Sequence, residues 1–565
     1  MPDGSPVPPR GLSAAELLDL VLDPDSYESW DTAPVEVVAD PGYQAALVRA
    51  RERTGVDESV LTGVGTIRGR RVAVVACEFG FLAGSIGVAA AERLVTAVER
   101  ATAERLPLLA APVSGGTRMQ EGTVAFLQMV KISAAIAAHK AAGLPYLVYL
   151  RHPTTGGVFA SWGSLGHVTA AEPGALIGFL GPRVYEQLYG EPFPPGVQLA
   201  EHLFEYGIVD AVLPPEQIAE IADRTLRVLC DRPAARPSAP PAEEPVADVP
   251  AWESITRSRD PRRPGVRALL KVAADDAIPL NGTGEGEAEP GLLLALARFG
   301  DAPCVLLGHD RRSQPGADRL DTGDPGRDRA ASEVPGPERA VFDHRGKSHP
   351  AGAGETGSAG RRDHSGKAAL REGAGQLAGR LIGPGALRQA RRGMRLAAEL
   401  RLPLVTVIDT PGAALSVEAE EGGMAGEIAR CLAELVTLDA PTLCLLLGQG
   451  SGGGALALLP ADRVVAAQHG WLSPLPPEGA SAIVHRTTDR AAEMAAAQGV
   501  RSIDLRRNGI VDRIVAEHPD AADEPEAFCR RVGTVLSDEL AALTRQPAPV
   551  RHAARLTRYR HLGQP

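Results

Sequence analysis

The chain alternates unbroken apolar runs with amphipathic stretches, and it does so twice. In the first block the run LLAAPV (108–113) ends at a small-residue turn, Ser114-Gly115-Gly116. An amphipathic helix is predicted over about 124–142, then a buried strand YLVYL (146–150), a glycine turn and a short helix. In the second block LVTVI (404–408) ends at Thr410-Pro411-Gly412, followed by a helix over about 424–438 and the run TLCLLL (442–447). Fully apolar strands alternating with helices predict parallel strands in an α/β layer. In both blocks the glycine turns fall at strand C-terminal ends, where α/β folds place ligands.

The two blocks keep register. Arg105-Leu106-Pro107-Leu108 recurs as Arg401-Leu402-Pro403-Leu404, and Leu144-Pro145 lines up with Ala440-Pro441. Gly156-Gly157 falls on Gly452-Gly453, and Glu172-Pro173-Gly174 on Gln468-His469-Gly470, all at one offset of 296 residues. A constant offset through four landmarks predicts an internal duplication. The expected domains are 30–230 and 251–545, joined by a linker at 231–250 whose prolines block helix and sheet ladders. A second stretch, 311–375, is nearly free of large apolar residues and is expected to be a disordered insert in the second domain.

Composition narrows the partners. At 565 residues the chain is too long for one core. Aromatics make up only 4%, which argues against base-stacking platforms, and a net charge of -11 argues against non-specific nucleic-acid or membrane binding. An anionic ligand must therefore be held by a local site. The six cysteines have neither zinc-ribbon spacing nor the density of a disulfide framework, so reduced thiols are expected. The first residues lack a signal-peptide pattern and no apolar run suggests a membrane span, so a soluble, cytoplasmic protein is expected.

The glycine turns carry the candidate chemistry. Thr154-Thr155-Gly156-Gly157-Val158 and Gly450-Ser451-Gly452-Gly453-Gly454-Ala455 each sit between a strand and a helix. Backbone amides there lack partners in the helix ladder and can point at a developing anion, which makes each turn a candidate oxyanion hole. Two such holes in duplicated domains can hold two carbonyl oxygens without a side-chain base. The spacing Gly448-x-Gly450-x-x-Gly453 also fits a dinucleotide fingerprint, but no acidic residue follows at the distance a ribose needs. No P-loop, HExxH or GxSxG element occurs. Histidines at 152, 167, 309, 469 and 485 stand isolated and read as surface or satisfied residues. Arg118, Lys131, Arg151 and Arg183 near the first turn are candidate contacts for coenzyme A phosphates.

The first block resembles the β subunit of bacterial acetyl-CoA carboxylase carboxyltransferase through SGGTRMQEG (114–122), KAAGLPYLVYLRHPTTGGVFASWGSLGH (140–167) and EPGALIGFLGPRVYEQ (172–187). The second resembles the α subunit through AWESITRSRDPRRP (251–264), VLLGHDR (305–311), LPLVTVIDTPGA (402–413), GQGSGGGALA (448–457) and PPEGASAI (476–483). The order is that of a β–α fusion. The resemblance implies two crotonase-like ββα-superhelix domains and transfer of carboxylate from carboxybiotin, on a separate carrier protein, to acetyl-CoA. No metal is expected, because the cysteines lack zinc-ribbon spacing. By resemblance, amides at Gly156 and Gly157 would hold the thioester oxygen, and amides at Gly454 and Ala455 the biotin ureido oxygen, with Gly453 favoured by the repeat register. Ser114, Gly115, Gly116, Arg118, Thr155 and Arg183 would line the CoA side. The biotin carrier and biotin carboxylase would be separate chains, and the fused chain a homodimer with sites at its interface.

The chain departs from the family's pattern in lacking a zinc ribbon, in reading AEEGGM at 419–424, and in placing His167 where an Asp is usual. Propionyl-CoA carboxyltransfer, a malonate-decarboxylase-type subunit and a CoA-binding scaffold are the neighbouring readings. A crotonase-like hydrolase or isomerase would need a carboxylate beside the first hole, for which Glu172 is the nearest candidate.

Overall fold

A computed structural model describes residues 11–37, 41–179, 181–231, 243–310 and 381–561. The expected insert at 311–375 and most of the proline-rich linker lie outside the described residues. In the first half the strands are β1 (Glu28–Ser29), β2 (Val60–Ile67), β3 (Arg70–Cys77), β4 (Leu108–Ala111), β5 (Tyr146–Leu150), β6 (Thr154–Thr155), β7 (Val168–Ala171), β8 (Ile177–Gly178) and β9 (Ala211–Val212). In the second they are β10 (Asp276–Leu280), β11 (Leu292–Phe299), β12 (Ala302–His309), β13 (Leu404–Thr410), β14 (Thr442–Ser451), β15 (Arg463–Ala467), β16 (Trp471–Ser473) and β17 (Arg513–Val515).

The first sheet runs β1-β2-β3-β4-β5-β7-β9, and the second runs β10-β11-β12-β13-β14-β15-β17. Each opens with an antiparallel hairpin and continues as parallel strands. A small parallel pair leaves the main sheet beside each glycine turn, β6 with β8 and the end of β14 with β16. Each half has its own core: Tyr146, Val148 and Leu150 lie in the first, and Val405, Val407, Leu443 and Leu445 in the second.

The duplication extends further than its four sequence landmarks. The helices Val88–Ala103 and Pro384–Leu400 start 296 residues apart. Arg105 and Arg401, also 296 apart, both adopt left-handed backbone, at φ 54° and 53°. The hairpin before them keeps a different offset, since β11 begins 232 residues after β2 and β12 begins 232 after β3. The change of offset falls where the insert follows β12, so the second copy carries 64 extra residues there.

The halves meet through ion pairs, Arg392 with Asp210 at 2.9 Å and Lys140 with Glu399 at 3.2 Å. His167 completes this contact. Its Nδ1 accepts the Tyr146 amide at 3.0 Å, so its proton lies on Nε2, 3.3 Å from Glu399. In the second half the Thr442 amide is accepted instead by Asp462, at 2.8 Å. His167 thus does for β5 what a carboxylate does for β14. The described end of the linker is also held down: Glu243 accepts the Ile514 amide at 3.1 Å, and Asp248 pairs with Arg501 at 2.5 Å.

One described helix, Met119–Ala141, is long and apolar enough by length and composition to cross a membrane, which the sequence reading did not expect. Its inner face is Ala125, Met129, Ile132 and Ile136. Its outer face is apolar as well, with Phe126, Leu127 and Val130 exposed.

Four histidines, His139, His167, His309 and His469, are buried. Burial holds all four pKa values below the usual imidazole range, those of His139 and His309 down to about 4. The unfolded chain therefore binds more protons than the folded one once the pH falls below about 6.5, and stability is lost as pH falls toward 4. The expected slope is about 1.4 kcal/mol per pH unit for each fully depressed ring. A thermal melting series from pH 7.5 to 4.5 checks this, and a flat melting temperature between pH 6.5 and 5 contradicts it.

Candidate functional site

The first turn begins where β6 ends. Gly156 takes φ 65°, and its amide donates to the Gly178 carbonyl at 3.2 Å. That bond uses up one of the two amides expected to hold a thioester oxygen. The Gly157 amide comes next, in a turn closed by the Ala160 amide donating to the Gly156 carbonyl at 3.0 Å, and it lies ahead of any intrahelical acceptor. The loop Ser114-Gly115-Gly116 packs directly on this turn. A Cβ on Gly116 would touch the Gly156 Cα at 3.4 Å, and the φ of 110° there disfavours any side chain.

Ser114 shapes that loop: its Oγ donates to the Gly84 carbonyl at 2.6 Å and accepts the Gly116 amide at 3.0 Å. Gly115 donates its amide to Ala83, and the Thr155 amide donates to the Ser114 carbonyl, both at 2.9 Å. Ile86 then bridges the loop, donating to Gly116 and accepting from the Arg118 amide, each at 2.9 Å.

The second turn repeats this lattice. Thr410 Oγ1 accepts the Gly412 amide at 3.1 Å. Ile382, the counterpart of Ile86, donates to Gly412 at 3.2 Å and accepts from Ala414 at 2.8 Å. Gly452 takes φ 62°, matching Gly156, and opens the short helix Gly452–Leu456. Gly453 and Gly454 occupy its first turn, where the ladder supplies no acceptor, and Ala455 follows. A Cβ on Gly453 would come within 2.6 Å of Ile428, and one on Gly454 within 3.1 Å of Ile382 and 3.3 Å of the Ala413 nitrogen.

The basic residues do not gather at the first turn. Arg118 is 0% exposed at its side chain and salt-bridged to Glu58 at 2.5 Å, with further bonds to Ser59, Ser85 and Tyr43. Its guanidinium is consumed inside the protein, which corrects its reading as a phosphate ligand. Arg151 is likewise buried on the Cys77 and Leu12 carbonyls, and Lys131 pairs with Glu92. The side chain of Arg183 lies outside the described residues. Glu172 accepts the His152 amide at 2.8 Å. The residues missed by sequence reasoning are Ile86, Ile382 and Gly178. They act through their backbones, and no side-chain type marks them.

The family model for the carboxyl transferase domain matches residues 10–553. The chain belongs to this family. Over 554 residues, 98% of this carboxyltransferase and 99% of the relative, it is 58% identical to the probable biotin-dependent acyl-coenzyme A carboxylase beta3 subunit of Mycobacterium bovis. It is 33% identical to the acetyl-coenzyme A carboxylase carboxyl transferase subunits beta/alpha of Salinispora arenicola, over 98% of this chain and 91% of that one. Among solved structures, transcarboxylase 12S, described as a hexamer assembly with methylmalonyl-coenzyme A bound, superposes with a TM-score of 0.65 at 22% identity. That match covers 95% of this chain and 91% of transcarboxylase 12S, and it shows the fold: a carboxyltransferase fold of two similar crotonase-like α/β halves. The protein is a biotin-dependent acyl-CoA carboxyltransferase, a family whose biotin rides on a carrier protein.

Proposed function

We propose that the chain transfers a carboxylate from carboxybiotin, presented by a separate carrier protein, to the α-carbon of acetyl-CoA, giving malonyl-CoA. The observation that carries this reading is the pair of glycine turns built by one hydrogen-bond lattice, at Gly156-Gly157 and at Gly452 to Ala455. The residues fit two flat, oxygen-bearing groups, because the positions where a Cβ would crowd Thr117, Met129, Ile382 and Ala413 hold only glycine hydrogens.

Each half has a distinct task in this reading. The Gly157 amide donates to the thioester oxygen, where negative charge gathers as the α-carbon becomes nucleophilic. Amides at Gly453 and Gly454 hold the ureido oxygen, while the Ala455 amide expected beside them makes the first bond of the helix, to the Ser451 carbonyl. Carboxybiotin, when bound, supplies an activated carboxylate. Ser114, Gly115, Gly116 and Thr155 keep the first turn in place through their mutual bonds.

The acetyl acceptor is favoured by the name of the Salinispora relative, while the Mycobacterium relative carries the wider acyl name. Propionyl-CoA is therefore the second acceptor to compare. The partners are a biotin carrier and a biotin carboxylase, and the compartment is the cytoplasm. For the assembly we propose a hexamer, the state described for transcarboxylase 12S, in place of the homodimer expected from sequence. Exposed Phe126, Leu127 and Val130 in the first half, and Leu415, Val417 and Ile483 in the second, supply apolar surface for contacts between copies.

The reverse reaction tests the proposal. With free biotin, malonyl-CoA should be converted to acetyl-CoA, with a kcat/KM about tenfold or more above that for methylmalonyl-CoA. A preference for methylmalonyl-CoA makes propionyl-CoA the acceptor. CoA thioester binding without any turnover points to the scaffold reading.

A further inference from the structure

One flexible side chain stands beside the Gly157 amide. A Cβ on Gly157 would meet Met129 Cγ at 3.2 Å and Sδ at 3.4 Å, with Thr117 Oγ1 at 3.0 Å. Met129 is buried on the inner face of the helix Gly122–Ala141. Ser161 ties it to the turn: the Ser161 hydroxyl donates to the Gly157 carbonyl at 2.5 Å and lies 3.6 Å from Met129 Sδ.

The second half builds the same wall from a different residue. A Cβ on Gly453, 296 positions after Gly157, would meet Ile428 Cδ1 at 2.6 Å. Ile428 lies on the corresponding helix, Met424–Thr437. Each turn is thus faced by one apolar side chain from the helix that follows its small-residue loop. The two differ in stiffness. Isoleucine is branched at Cβ and holds one preferred rotamer in a helix, whereas methionine is unbranched and adaptable. The stiff wall faces the turn assigned to one constant group, biotin, and the adaptable wall faces the turn assigned to the thioester.

The other flank of the Gly157 amide is bare. A Cβ on Gly116 would come 3.5 Å from the Gly157 nitrogen, so the Ser114-Gly115-Gly116 loop presents backbone there. A thioester whose oxygen sits on this amide has its carbonyl carbon about 1.2 Å away, with sulfur and α-carbon on opposite flanks. The sulfur carries the long pantetheine arm and takes the flank walled by glycine. The α-carbon and its substituents are left against Met129. We propose that Met129 is the specificity-determining residue for the acyl group: its side chain closes the space beside the α-carbon and sets whether a substituent larger than hydrogen fits there. This rests on the carboxyltransferase reading, and it makes the substrate class short acyl-CoA thioesters.

Reverse-reaction kinetics with malonyl-CoA and methylmalonyl-CoA, using free biotin, test the assignment through the ratio of the two kcat/KM values. Met129→Ala should raise the methylmalonyl-to-malonyl ratio about 10-fold or more, because the α-methyl gains the space that the side chain left. Met129→Leu, of similar volume, should keep the ratio within about threefold of wild type. Met129→Val removes less of the core and should raise the ratio about threefold or more, so the test stands even where alanine costs the fold. Ile428→Val, a truncation of the matching wall in the second half, should leave the ratio within about twofold. An unchanged ratio in a folded alanine or valine variant overturns the proposal. An equal rise in Ile428→Val, or a matched rise in KM for both thioesters, overturns it as well. Wild-type protein that binds malonyl-CoA without turnover overturns the carboxyltransferase reading instead.

Discussion

Gly157→Val is expected to lower kcat for carboxyl transfer by about 10²–10³-fold while the protein stays folded. Gly157 has ordinary negative-φ backbone, so valine meets no backbone strain there. What it meets is Thr117 Oγ1 at 3.0 Å and the flexible Met129 side chain at 3.2 Å, so the new methyl groups fill the space in front of the amide. A bound oxygen is then held off the Gly157 amide, the neighbour of the Gly156 amide that Gly178 has taken. Gly156→Ala differs, because φ 65° makes any side chain strained and the loss there is one of stability. Steady-state kinetics with malonyl-CoA and free biotin, beside thermal melting of both variants, separate the two. Unchanged kcat in a folded Gly157→Val protein removes this amide from the mechanism.

Arg118→Ala is expected to cost about 3–5 kcal/mol of stability, because it leaves Glu58 buried without its cation. Arg118 donates to both Glu58 oxygens, to the Ser85 carbonyl at 2.7 Å and to Ser59 at 3.1 Å, which ties the loop after Gly116 to strand β2. Replacing the pair together, Arg118→Met with Glu58→Leu, should recover much of the loss, since no unpaired charge remains. Urea unfolding of the single and double variants checks this. A single variant with an unchanged midpoint but a raised KM for the CoA thioester would return Arg118 to the phosphate-binding role.

Much of the architecture was legible in the sequence because a buried parallel strand has to be apolar on both faces. The runs at 108–113, 146–150, 404–408 and 442–447 could therefore be read as strands, and their common offset exposed the duplication. The glycines of both turns were legible for a related reason. Gly116, Gly156, Gly412 and Gly452 all take left-handed φ, which few other residues tolerate. The hairpins β2–β3 and β11–β12 escaped, because the insert changes their offset and apolar residues alone do not mark register.

The tertiary structure decided what each polar residue does. Arg118, Arg151 and Lys131 have the same formal charge, and only the positions of Glu58, the Cys77 carbonyl and Glu92 show that all three are engaged by the protein. Gly156 and Gly157 are adjacent and identical, yet the pairing of β6 with β8 places the Gly178 carbonyl over one amide and not the other. His309 read as an isolated imidazole until the strands around it placed the Asp409 amide on its Nδ1. Apolar period and glycine content are properties of a residue and its chain neighbours, so the sequence carries them directly. A hydrogen bond depends on two groups brought together from distant positions, and that distance is set only when the chain is packed.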